Sequence, residues 1–208
     1  MIKRAWLLAL VFTFSGQSAM AIEEPAYEVL LETKHYEIRR YQPYIVAEVD
    51  VNADFKRAGN SAFSVLAGYI FGDNEPQQKM QMTAPVESSE GVRMNMTAPV
   101  TSQSTDARGS FTYAFVMESK YTMETLPKPN NPDIRLVQRP ARVMAVHRYS
   151  GGWSEKRYQE HETILLEALT TDRVETVGAP VFARYNAPFT PWFLRRNEIM
   201  IEIDWKEP

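Results

Sequence analysis

Two copies of one pattern, KMQMTAPV at residues 79–86 and RMNMTAPV at 93–100, hold four of the chain's 10 methionines. Met80, Met82 and Ala84 alternate with Gln81 and Thr83, and Met94, Met96 and Ala98 alternate with Asn95 and Thr97. On an extended backbone each set of thioethers shares one face. Such a face can fill an irregular core or line an adaptable pocket. It can also hold a soft ion, chiefly Cu(I), or supply a thioether to a haem iron. Pro85 and Pro99 place both copies at strand ends or sheet edges.

The 3 histidines are the other candidate ligands to a haem iron. His161 follows Tyr158 by three residues and precedes Leu165 by four, which puts it on or beside one apolar helical stripe. It reads either as a hydrogen-bonded boundary histidine or as an axial ligand. His147, in VMAVHRY, alternates with mostly apolar residues and reads as structural, whereas His35 in ETKHYE reads as an exposed turn residue. Arg39, Arg40, Arg195 and Arg196 can each form paired hydrogen bonds to a ligand carboxylate, or ordinary salt bridges. Phe63, Tyr69, Phe71, Phe189, Trp192 and Phe193 suffice to flank a flat apolar ligand, and equally to build a core. The chain carries no GxSxG elbow, Walker loop, HExxH helix or dinucleotide glycine pattern, so the expectation is a binding protein and not an enzyme.

The elements that must position these residues follow from periodicity. Residues 27–51 read as strands, punctuated at Gln42-Pro43. From Asp54, a candidate cap, to Phe71 the period becomes helical through Phe55, Ala58, Ala62, Leu66 and Ile70. Val92 to Ala98 and Phe111 to Glu118 read as strands, and the stretch through PKPNNP reads as a long loop. A strand over Arg142 to Tyr149, a break at Gly151-Gly152, a helix over Ser154 to Leu169 and strands at Val181 to Tyr185 and Glu198 to Trp205 complete the chain. Each half thus repeats proline, strand, connector, helix and two strands, which predicts an α+β fold built on a pseudo-twofold duplication of a β-α-β-β unit.

Residues 1–21 read as a secretory signal peptide: Lys3 and Arg4 precede the apolar run AWLLALVFTF, and SAMA supplies small residues before a cleavage point after Ala21. That run is about half the roughly 20 residues a membrane span needs, and nothing later is long and apolar enough to span. The remaining residues, 22–208, form a single domain. Without Lys3 and Arg4 the chain has 21 basic and 26 acidic residues, a formal charge of about −5 that weighs against nonspecific nucleic-acid binding. Having no cysteine, it excludes disulfides, thiolate metal sites and cysteine nucleophiles. The expected destination is the periplasm, with full secretion as the alternative.

YEIRRYQPYIVAEV, YIFGDN, MTAPV, FVMESKY with LPKP, and YNAPFTPWFLRRNEIMIEI, in that order, resemble the SOUL haem-binding family from Tyr27 to Trp205. The resemblance implies a distorted β-barrel with two long helices and a tetrapyrrole, haem b or protoporphyrin, held at an open apolar site. It implies a small planar apolar ligand as partner, in capture, buffering or transfer. The site residues expected from it and from the reading above are His161 as iron ligand, Tyr158, Leu165, Met80, Met82, Met94, Met96, Arg39, Arg195 and Trp192. The competing expectation is a periplasmic module for another small amphipathic ligand, or an envelope or stress factor that binds no haem.

Overall fold

A computed structural model of the chain describes residues 22–52, 55–76, 91–104, 110–187 and 189–206. Residues 1–21, Asp54, Met80 and Met82 lie outside them, so the leader, the cap and the first methionine copy are not part of this description.

The elements run β1 (Tyr27–Glu32), β2 (Glu37–Tyr41), β3 (Tyr44–Asn52), α1 (Phe55–Ile70), β4 (Asn74–Glu75), β5 (Val100–Ser104), β6 (Ser110–Val116), β7 (Lys128–Pro129), β8 (Arg135–Arg139), β9 (Arg142–Tyr149), α2 (Glu155–Thr171), β10 (Thr176–Arg184), a 3-10 turn (Trp192–Leu194) and β11 (Asn197–Ile203). Nine strands form one curled antiparallel sheet in the order β1-β2-β9-β11-β10-β5-β6-β3-β8, while β4 and β7 pair separately. Read inward from its two ends after β1, the sheet is β2, β9, β11, β10 and β8, β3, β6, β5. Around α1 the large sheet places β6 between β3 and β5, around α2 it places β11 between β9 and β10, and the two sets of strands meet at the β10–β5 pairing. This is the α+β fold that the sequence pattern predicts and the distorted barrel with two helices that the family resemblance implies.

Strand alternation sorts the side chains. Ala47 and Val49 of β3 and Tyr113 and Phe115 of β6 pack with Ala58, Ala62 and Leu66 of α1. Ala145 of β9, Phe182 of β10 and Ile199 and Ile201 of β11 pack with Leu165 and Leu169 of α2. Phe182 pairs with Ser102, and Ser102 with Tyr113, so both helices cover the same sheet face. The opposite face holds smaller clusters around Met144, Val146 and Met200 and around Val46, Ala114 and Val116. Ser154 caps α2 by accepting a hydrogen bond from the Arg157 amide. Gly151, at φ 141°, supplies the left-handed turn before this helix, and an added Cβ there would sit 2.5 Å from Arg157 Nε.

Two sequence expectations are corrected. Val92 to Ala98 is not a strand: the Met94 amide donates to the Ile70 carbonyl, the Asn95 amide to the Glu118 carboxylate and the Ala98 amide to the Glu23 carbonyl, so its donors leave any ladder. The long loop through PKPNNP contains β7 and is followed by β8, an edge strand clipped to β3 by ion pairs of Arg135 with Glu48 and Asp50 and of Arg139 with Glu48. Its attachment is largely polar, which is why apolar periodicity does not reveal it. Among the described residues no helix is long and apolar enough to cross a membrane.

Candidate functional site

At the seam between the halves, on the helix-covered face, lies a cleft of about 280 Å³. Its floor comes from Val100 of β5, Tyr113 of β6 and Arg184 of β10, its walls from α1 (Gly59, Phe63) and Trp153. Met96 to Ala98 and the segment Tyr185 to Ala187 with Phe189 form its rim. Apart from Arg184 the lining is predominantly apolar and aromatic. Gly59 lets α1 approach closely, since a Cβ there would stand 3.4 Å from Tyr113 Oη and 3.6 Å from Arg184 Nη1.

Among the described residues Arg184 is the one cation in the lining. It follows Phe182 by two residues and so points with it toward the helices, among aromatic neighbours. Its guanidinium carbon lies 4.9 Å from the Phe182 ring centroid and 5.3 Å from that of Trp153, and it hydrogen-bonds the Tyr113 hydroxyl. Burial lowers the Arg184 guanidinium from its ordinary value and raises the Tyr113 phenol. At neutral pH the pair stays a cation beside a neutral hydroxyl. The wall is held from behind: Trp153 Nε1 donates to Asn197 Oδ1 at 2.8 Å, and the fully buried Asn197 donates to the Gly151 carbonyl.

Sequence reading placed Met96, Phe63 and Phe189 among candidate ligand contacts, and the cleft brings them together. It missed Arg184, Tyr113, Trp153 and Gly59. Met94 is core beneath α1, 5% exposed. Leu165 is fully buried under α2, and Tyr158 packs against Phe182 with ring centroids 5.5 Å apart. Trp192 is 62% exposed on the 3-10 turn, outside the cleft lining. Arg195 donates through Nε to the Thr190 carbonyl and lies 4.2 Å from the Trp153 centroid, behind the cleft wall.

Arg39 is corrected outright. It is 1% exposed on the opposite sheet face, where Nη1 donates to both oxygens of Glu198 and Nε to Glu37. A ligand propionate has no access to it.

His161 stands apart from the cleft in a pair with His147. His147 Nδ1 lies 2.6 Å from the His35 carbonyl, which can only accept, so the proton of neutral His147 is on Nδ1. His147 Nε2 is then the acceptor for His161 Nδ1–H at 3.0 Å. The His161 ring stacks on Tyr149, centroids 3.6 Å apart. Burial, then the nearby His147 and Arg157, lower the His161 pKa to about 4 against a smaller opposing effect of Glu160. Because the unfolded chain protonates this group near 6.5 and the fold refuses the proton until about 4, stability is expected to fall as pH drops through that window. Urea unfolding at about pH 7 and about pH 5 measures this, and His161→Gln should flatten part of the slope. Among the described residues no group of three or more histidines and carboxylates could hold a metal ion.

A larger depression of about 610 Å³ lies elsewhere and is rimmed by Glu23, Glu24, Glu118 and Glu124. Its carboxylates disfavour an anionic guest.

An open-barrel α+β fold with an apolar cleft at the seam defines a small-ligand binding architecture. The chain matches the SOUL heme-binding protein family over residues 22–202 and belongs to it. It is 25% identical to heme-binding protein 2 of Mus musculus, over 90% of this chain and 93% of that protein. It is 27% identical to heme-binding protein 2 of Homo sapiens, over 92% and 90%. Among solved structures the EcmrR C-terminal domain superposes with a TM-score of 0.60 at 10% identity, covering 86% of this chain and 98% of that domain, a likeness of fold alone.

Proposed function

We propose that the protein binds haem or a free porphyrin in the seam cleft, for capture, buffering or transfer, without chemistry of its own. The observation that carries this reading is a partly buried guanidinium, Arg184, at the floor of a largely apolar aromatic cleft. A tetrapyrrole with propionate groups matches both features: its ring favours Phe63, Met96 and Trp153, and a carboxylate favours Arg184. The cleft is at the small end of ligand pockets, roughly 300–1,000 Å³, so part of the ring stays in water. Bound haem would bring iron redox and ligand chemistry, whereas the residues here bind and orient.

His161 is not in the lining, so the reading uses no iron ligand from it. Absorbance titration of the chain from Ile22 onward with ferric haem, and separately with protoporphyrin, tests this. Saturation near one equivalent with both rings, unchanged in His161→Ala, is expected. No saturable change with either ring would overturn the proposal, and displacement by a fatty acid alone would favour a different amphipathic ligand. The leader-like residues 1–21 support export, and we infer the periplasm as the place of action.

A further inference from the structure

The segment that leaves the cleft rim ends in an apolar surface that the porphyrin reading does not use. Phe189 is 90% exposed, Trp192 62%, Phe193 59% and Leu194 64%, within six residues. A soluble fold gains nothing by holding four large apolar side chains in water so close together, and such a cluster marks a contact surface. The cluster is rigidly presented: the Leu194 amide bonds the Pro191 carbonyl, Ser150 Oγ donates to the Phe193 carbonyl, and Trp192 and Phe193 meet edge to face at 5.6 Å.

What should cover it is indicated by its flank. Phe193 and Leu194 form one side of a depression of about 490 Å³ whose other side is Arg148, Ser150, Arg195 and Arg196. Arg148 is exposed. Arg195 lines the same side, while the Arg196 guanidinium is taken up by Glu24 and Glu198 through Nη1 and Nε. Arg148 and Arg195 beside an aromatic-aliphatic tip complement a surface that is anionic above and apolar beneath.

We propose that residues 189–194 dock on an anionic phospholipid bilayer, with Trp192, Phe193 and Leu194 entering the interface and a headgroup phosphate seated beside Arg148 and Arg195. Aromatic side chains favour that interfacial depth, and nearby arginines favour anionic lipid. Binding of this kind lies on the membrane and needs no span. Phe189 belongs to both this tip and the cleft rim, so a docked protein would hold the cleft beside the bilayer. The proposal stands independently of which ligand the cleft takes.

The described elements of the fold lie between Tyr27 and Ile203, so the chain from Ile22 onward is the species to use, without the leader-like residues 1–21. Co-sedimentation with phosphatidylglycerol vesicles and with phosphatidylcholine vesicles is the experiment. Binding to the first and little to the second is expected. Trp192→Ser with Phe193→Ser should abolish it, and Arg148→Glu should weaken it about tenfold. These residues are exposed, and unchanged urea midpoints would establish that the variants fold. Absence of binding to phosphatidylglycerol vesicles, or binding that survives the double serine variant, overturns the proposal. So does capture of soluble glycerophosphate without vesicle binding. Concentration-dependent dimerisation lost in the serine variant, again without vesicle binding, would assign the surface to a second copy of the chain.

Discussion

Glu198→Leu should lower the unfolding free energy by about 3–5 kcal/mol, read as a drop in the urea midpoint, because it strands two guanidinium groups in the interior. Glu198 is fully buried and takes Arg39 on one side at 3.1 Å and Arg196 on the other at 2.9 Å, with the Tyr185 hydroxyl donating at 2.6 Å. Burial opposes the Arg39 charge, but Glu198, Tyr41 and Glu37 together outweigh it and hold the guanidinium protonated above its ordinary value. Without the carboxylate, two like charges face one another across a site from which water is largely excluded. Arg39→Met should cost less, since Arg196 continues to neutralise Glu198 and also keeps Glu24 at 3.0 Å. Equal losses for the two variants would mean that the carboxylate is not the shared centre of the network.

That network marks the limit of reading the chain by periodicity. Arg39 and Glu198 occupy alternating positions in EIRRY and NEIMIEI, where a charge beside apolar residues ordinarily signals the solvated side of a strand. Both sides of these central strands are covered, so the charges neutralise one another instead of meeting water. Elements with clear end signals were legible: the strand expected over Arg142 to Tyr149 is β9, although both of its faces are covered, and α2 begins after the capping Ser154. Residues 91–98 misled because Met94 and Met96 do share an apolar role, one in the core and one in the cleft, while the backbone between them is tied by other hydrogen bonds. The aromatic and methionine parts of the cleft were visible as residue types. Arg184 was not, although VFARY held a clue: an arginine in phase with Phe182 must either turn back to solvent or serve a buried purpose.

Arg184→Leu is expected to weaken binding of a carboxylate-bearing porphyrin by about 10- to 100-fold, the loss of a charge-assisted hydrogen bond of roughly 1.5–3 kcal/mol. The same substitution should leave the porphyrin dimethyl ester almost unaffected, because the ring surface offered by Phe63, Met96 and Trp153 is retained. The ratio of acid to ester affinity is therefore the quantity to measure, by fluorescence titration of both rings against both proteins. That ratio is insulated from the variant's own stability, which should fall only modestly as the Tyr113 hydroxyl loses its guanidinium partner. Arg184→Lys separates charge from geometry: a compact ammonium keeps attraction for the acid but not the paired guanidinium fork, so its ratio should fall between the two. A leucine variant that still preferred the acid would move the carboxylate contact away from the cleft floor, and with it the reason for burying an arginine there.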